Sequence, residues 1–206
     1  MLAPQRAAMP KPARRLALAV GSSTGGPEAL SEVFAHLGAN LAVPVFVTQH
    51  MPAAFTPLLA SHIARVAGCL CVEAREGEIA RPGTIYIAPG NRHLLISGSA
   101  FEPIMHVTDG PQENFCRPSV DPMFRSLAKV YGRALLAVVL TGMGQDGLDG
   151  ARAVAARGGT IFVQDQGSSV VWGMPGAVFA EGLAARVLPL KQMGHEVASL
   201  LGEATP

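Results

Sequence analysis

The sequence predicts an α/β fold in a single domain, with a mainly parallel sheet that helices cover on both faces. Three observations lead there. Short apolar runs of strand length alternate with amphipathic stretches of helical period along most of the chain. The 206 residues suit one domain, at ~100–200 residues per domain. Hydrophobic residues make up 49% of the chain and charged residues only 15%, so much of it must be buried in a core.

Leu16–Val20 is a short apolar run ending at Gly21 and reads as a buried strand. Gly25-Gly26-Pro27-Glu28 opens a helical pattern that runs to His36; proline suits the first helical turn, and Glu28 complements the helix dipole. Val43–Thr48 is a second buried strand. A helix follows over Ala54–Val66, where Leu58, Leu59, His62, Ile63 and Val66 fall at helical spacing. Between Val72 and Thr108 the pattern changes. The strand-like pieces Thr84–Ala88, His93–Ser97 and Pro103–Val107 are separated by Pro-Gly or Gly-Ser signals, which predicts hairpins and an antiparallel edge on the sheet. Alternation then resumes. Asp121–Val130 is a helix with Asp121 as its cap and Met123, Phe124, Leu127 and Val130 on one face. Ala134–Leu140 is a buried strand, Leu148–Arg157 a small-residue helix closed by Gly158-Gly159, and Thr160–Gln164 a strand. Helices follow over Pro175–Glu181 and Lys191–Leu201.

Composition narrows the function. Lys plus Arg number 16 and Asp plus Glu 15, a formal charge of +1, so the basic footprint of a nucleic-acid-binding domain is missing. The longest uninterrupted apolar run, Ala134–Leu140, is far below the ~18 residues of a membrane-spanning helix, so no membrane insertion is expected. Cys69, Cys71 and Cys116 match no zinc-ligand spacing and are expected as free thiols in a reducing cytoplasm. Residues 1–14, with Arg6, Lys11 and Arg14, read as a basic arm or linker remnant ahead of a folded domain over 15–206.

The first strand runs into Gly21-Ser22-Ser23-Thr24-Gly25-Gly26 and then a helix. Gly21 to Gly25 satisfies G-x-S-x-G in a strand–turn–helix context, where a sharp turn lifts a Ser hydroxyl above the sheet edge. A serine nucleophile, a phosphate-cradling loop and a plain tight turn all fit that loop. A nucleophilic Ser23 needs a base beyond a neighbouring strand, and His50, two residues after Thr48, stands there; His36 and His62 fall within amphipathic helices. The base needs an orienting carboxylate. Asp146 follows the best buried strand in a loop with Gly142, Gly144 and Gly147; capping the next helix is its structural alternative, and Asp149 is a second candidate. Ser23, His50 and Asp146 all follow strand ends, so one crevice can hold them. Amides of the glycine loop could face an oxyanion.

These residues carry a family resemblance. Gly21-Ser22-Ser23-Thr24-Gly25-Gly26, Gln49-His50-Met51-Pro52 with Phe55-Thr56, Tyr86-Ile87-Ala88-Pro89-Gly90 and Arg117-Pro118-Ser119-Val120-Asp121 recur in family order. So do Leu140-Thr141-Gly142-Met143-Gly144, Asp146-Gly147 and Gly173-Met174-Pro175. Together they make the chain resemble the catalytic domain of the bacterial chemotaxis protein-glutamate methylesterase, the CheB family. The resemblance implies a doubly wound, mainly parallel sheet with an antiparallel hairpin. It implies a serine hydrolase that removes methyl groups from glutamate γ-methyl esters on the cytoplasmic helices of methyl-accepting chemoreceptors, with glutamine deamidation as a further activity. It carries the nucleophile onto Ser23, the base onto His50 and the orienting acid onto Asp146. It places an oxyanion-holding amide at Met143 and a supporting hydrogen-bonding position at Thr24. No metal or organic cofactor is implied. The chain departs from the family pattern at Ser22, where Ala is common, and at Cys116, where His is common. It is also expected to lack the receiver domain that usually precedes the esterase. A non-catalytic phosphate or sugar-phosphate binding module and a general small-ester hydrolase stand as alternatives; a shallow groove able to accept a helix separates the protein esterase from the latter.

Overall fold

A computed structural model describes residues 17–37 and 41–202. The expected N-terminal arm over 1–14 lies outside the described residues. The chain runs β1 (Ala17–Ser22), α1 (Gly26–Ala35), β2 (Val45–Gln49), α2 (Thr56–Ala67), β3 (Leu70–Glu73), β4 (Thr84–Ile87), β5 (His93–Gly98) and β6 (Pro103–Thr108). It continues with α3 (Val120–Tyr131), β7 (Leu135–Val139), α4 (Leu148–Ala156), β8 (Thr160–Gln164), α5 (Gly173–Ala180), β9 (Arg186–Leu188) and α6 (Leu190–Gly202). Seven strands form one parallel sheet in the order β3-β4-β2-β1-β7-β8-β9, and β5 and β6 form a separate antiparallel pair.

The central strands are apolar on both faces, as a sheet covered on both sides requires. Successive residues of β1 serve opposite layers. Leu18 and Val20 pack with Leu30, Val33, Ile63, Met193 and Val197, the layer of α1, α2 and α6. Ala17 and Ala19 pack with Phe124, Leu127, Ala151, Val154 and Val178, the layer of α3, α4 and α5. The sheet is therefore doubly wound. The hairpin is not an edge of this sheet, contrary to the expectation. Leu94, Ile96 and Met105 join the α3 layer instead, and the Ile96 amide donates to Ser126 Oγ of α3 at 3.0 Å. Thr84–Ile87, expected in a hairpin, is an inner parallel strand, because β3 precedes it and takes the edge.

Strand order reverses at β1. The chain leaves β1 through α1 toward one face and leaves the adjacent β7 through α4 toward the other. A crevice opens at such a switch point, beyond the carboxyl ends of the strands. Phe124, fully buried on α3, anchors that helix beside the crevice; burying a side chain of that size contributes ~1.5–3 kcal/mol. No helix among the described residues is long and apolar enough to cross a membrane.

Candidate active site

Ser23 is the first residue beyond β1. Its amide donates to the Thr141 carbonyl at 3.0 Å, and its own carbonyl accepts from Gln49 Nε2 at 2.9 Å, so both neighbouring strand ends hold it. The chain turns into α1 through Gly25, whose φ of +79° lies where side chains are disfavoured. Gly142 lies against the serine. A Cβ built there would fall 2.8 Å from Ser23 Cβ and 2.3 Å from Met174 Sδ. The two hydroxyls of Ser22-Ser23 differ sharply. Ser22 is fully buried and donates to Gln49 Oε1 at 2.7 Å, whereas the half-buried Ser23 hydroxyl bonds to no other described residue.

His50 follows β2, whose Gln49 pairs in register with Ser22, and the His50 amide donates to the Ser22 carbonyl at 3.1 Å. Its Nε2 donates to Asp146 Oδ2 at 2.6 Å, which leaves Nδ1 as the ring's acceptor; Cys116 Sγ lies 3.5 Å from that atom. Burial disfavours the imidazolium, but the hydrogen bonds and charges of Asp146 and Cys116 outweigh it and raise the His50 pKa to about 9.

Asp146 is buried at 2% exposure and does not cap α4, whose N-cap is Gly147. It serves the N-terminus of α3. Oδ2 accepts the Val120 amide at 2.7 Å; Oδ1 accepts Ser119 Oγ at 2.7 Å, Asn114 Nδ2 at 3.1 Å and the Asp121 amide at 3.2 Å. The Gly147 amide adds a bond to Oδ1 at 3.0 Å. Burial alone pushes this carboxyl up, but the bonds from His50, Val120 and Ser119 overcome it and hold the pKa below the ordinary value. The helix N-terminus favours the anion as well.

Asp121, read from the sequence as the cap of its own helix, is not one: the N-cap is Ser119. Asp121 is buried; its Oδ1 accepts the Gly150 amide at 2.6 Å and its Oδ2 accepts Asn114 Nδ2 at 2.8 Å. Burial first, and the charge of Asp146 as well, raise it to about 6 against the pull of these bonds.

The structure thus brings His50 and Asp146 into contact, with the loop beyond β7 lying against Ser23. Thr24 is exposed; its carbonyl accepts Thr141 Oγ1 at 2.9 Å. Met143 is 68% exposed, and its amide and that of Thr24 bond to no other described residue, so both can receive an oxyanion. Asp149 lies outside this network and pairs with Arg152 at the surface. Sequence reasoning gave no role to Ser119, Asn114 or His93. His93 Nδ1 accepts the Ser119 amide at 3.2 Å, and its Nε2 donates to the Pro111 carbonyl at 2.9 Å. No periodicity marks these residues. The phosphate-cradle alternative gains no support from this arrangement, in which the residues beyond the strand ends form a histidine–carboxylate pair.

Around the site lie exposed apolar side chains: Phe55 and Leu58 after His50, Phe115 beside Cys116, Met143, and Val170 against Gly25. A shallow groove of about 640 Å³, lined in part by Asn114, Phe115, Gln145 and Trp172, runs along one side.

Residues 18–197 match the family model described as CheB methylesterase. A protein-glutamate methylesterase/protein-glutamine glutaminase of Azospirillum brasilense is 52% identical over 188 residues, covering 91% of this chain and 48% of that protein. A protein of the same description from Rhodospirillum rubrum is 53% identical over 182 residues, covering 87% of this chain and 47% of its own length. The chain therefore spans about half the length of the curated relatives it matches. The crystal structure of the Thermotoga maritima CheB methylesterase catalytic domain superposes with a TM-score of 0.87 at 37% identity, over 91% of this chain and all of that one.

Proposed function

Since the chain belongs to the CheB methylesterase family, we propose that it hydrolyses glutamate γ-methyl esters on chemoreceptor cytoplasmic helices, with methanol as the leaving product. The observation that carries the reading is the 2.6 Å contact of His50 Nε2 with Asp146 Oδ2 at the strand ends that also hold Ser23.

Ser23 Oγ attacks the ester carbonyl while its proton passes to His50 Nδ1. Asp146 keeps the imidazole in the Nε2–H tautomer and stabilises the imidazolium. The oxyanion is received by the amides of Met143 and Thr24. The tetrahedral adduct collapses, methoxide takes the proton from His50, and methanol departs. Water then attacks the acyl-serine with His50 again as base, releasing glutamate and free Ser23. A glutamine side chain follows the same path with ammonia as the leaving group, which is the glutaminase activity.

The exposed apolar rim and shallow groove favour a protein surface over a small ester, which would call for an enclosed apolar pocket. Receptor helices of this kind place the reaction in the cytoplasm. Mass spectrometry of a methylated receptor cytoplasmic fragment tests the reading. Incubation with the protein should convert γ-methyl glutamate to glutamate; retention of every methyl group under conditions where the protein is folded would refute it.

A further inference from the structure

The nitrogen of His50 that must accept the serine proton already has a second donor beside it. Cys116 Sγ lies 3.5 Å from His50 Nδ1, while Nε2 on the opposite side of the ring is fixed by Asp146. Among the described residues, His50, Cys116 and Asp146 are the one group of three His, Cys, Asp or Glu side chains whose ligand atoms come together, all within 4.8 Å.

Asp146 is not a free ligand in this group. Oδ1 accepts from Ser119, Asn114 and the Asp121 and Gly147 amides, and Oδ2 from His50 and the Val120 amide. What remains is a thiol and an imidazole nitrogen, with a carboxylate behind the imidazole. That is how proteins hold a metal-bound histidine: the ring nitrogen away from the metal donates to a carboxylate, which fixes the ring. The spacing fits too. Tetrahedral zinc, with Zn–S of about 2.3 Å and Zn–N of about 2.05 Å, places its sulfur and nitrogen ligands about 3.6 Å apart. The observed separation is 3.5 Å. A thiolate with an imidazole selects zinc-like cations over magnesium or calcium.

We infer that Cys116 Sγ and His50 Nδ1 form an inhibitory site for a thiophilic divalent cation, of which Zn²⁺ is the type, with Asp146 orienting His50 from behind. The inference rests on the reading of His50 as the general base. On binding, the Cys116 thiol and the Nδ1 of the His50 imidazolium each release a proton to solvent, and the thiolate and the freed Nδ1 lone pair go to the metal; no electron is transferred. Water fills the other coordination positions. With Nδ1 occupied, the Ser23 proton has no acceptor. Cys69 and Cys71 do not compete: burial raises both thiols, Cys71 to about 12, and neither belongs to a group of three ligands.

Two readouts test this on the purified 206-residue chain. Titration with Co²⁺ should produce a thiolate-to-cobalt charge-transfer absorption saturating at one ion per chain, in the wild type and in Ser23→Ala alike. It should vanish in Cys116→Ala, with folding confirmed by circular dichroism. Zn²⁺ at about ten times its dissociation constant should slow wild-type ester hydrolysis about tenfold by occupancy alone, and a chelator should restore it. Cys116→Ala should hydrolyse ester without zinc sensitivity. A cobalt spectrum without the thiolate band, a band that persists in Cys116→Ala, or equal zinc inhibition of both proteins would overturn the inference. The cobalt spectrum requires no turnover, so it stands even if the chain fails to act on methylated receptors.

Discussion

The Oδ2 atom of Asp146 accepts the backbone N–H of Val120 at 2.7 Å, which seats the acid of the site on the first turn of α3. The contact joins two elements distant in the chain and explains how a buried carboxylate stays ionised. Four further donors from protein groups, besides His50, complete its shell. Asp146→Asn turns one of these acceptors into a donor facing donors. It also forces His50 toward the tautomer with a proton on Nδ1. Turnover should fall by ~10³–10⁴ in steady-state kinetics. Chemical denaturation should show a stability loss of about 1–3 kcal/mol.

The two adjacent serines provide an internal control. Ser22→Ala removes the bond to Gln49 Oε1, leaving a buried acceptor unpaired, and should cost about 1–3 kcal/mol of stability while esterase activity persists. Ser23→Ala should leave the denaturation midpoint nearly unchanged and remove hydrolysis. Loss of activity in Ser22→Ala with retention in Ser23→Ala would reverse the assignment.

Activity and stability should move in opposite directions with pH. His50 is raised from 6.5 to about 9 in the folded protein. The folded state therefore binds the proton more tightly, and the associated stability is fully present below 6.5 and lost as pH rises through about 9. The loss should be on the order of 1–3 kcal/mol and absent in His50→Ala. As the proposed base, His50 works only when neutral, so kcat/KM should climb across the same interval. A rate profile that plateaus near neutral pH, or a stability slope unchanged in His50→Ala, would contradict the raised His50 pKa.

Phe115 is 96% exposed at the rim of the groove, where it packs against little in the chain itself. Phe115→Ala should raise KM for a receptor fragment, by up to about tenfold for ~1.4 kcal/mol of lost contact, with kcat maintained. Hydrolysis of a small methyl ester should not change. An equal effect on both substrates would argue against a protein-binding rim.

Gly142 packs so closely on Ser23 that a methyl group has no room, since the Ser23 Cβ lies on one side and Met174 Sδ on the other. Gly142→Ala should lower activity far more than stability, because it displaces the serine from the base. A stability loss with normal specific activity would show that the loop yields elsewhere.

Much of this architecture was legible in the residues. Thr160–Gln164 and the helix from Leu148 stand where the apolar pattern places them, because buried parallel strands and amphipathic helices announce themselves by period. Ser23, His50 and Asp146 could be singled out as candidates because each follows such a strand. The edge strands were not: β3 is half exposed and β9 only three residues long, so neither carries a continuous apolar run. Thr84–Ile87 misled because Pro-Gly turns on its flanks resemble hairpin punctuation, while its parallel partners are supplied by tertiary pairing. The shell around Asp146 was hidden for a related reason. Ser119, Asn114 and the Val120 amide act through a helix terminus arriving from elsewhere, and the register that brings Cys116 to His50 leaves no trace in spacing.

The most direct test of the account is methanol release from chemoreceptors carrying labelled methyl esters, measured side by side for the wild type, Ser22→Ala and Ser23→Ala. The expected result is release by the first two and none above the uncatalysed rate by the third, with all three folded. Release by Ser23→Ala at the wild-type rate would contradict the assignment of Ser23 as the nucleophile and, with it, the mechanism built on His50 and Asp146.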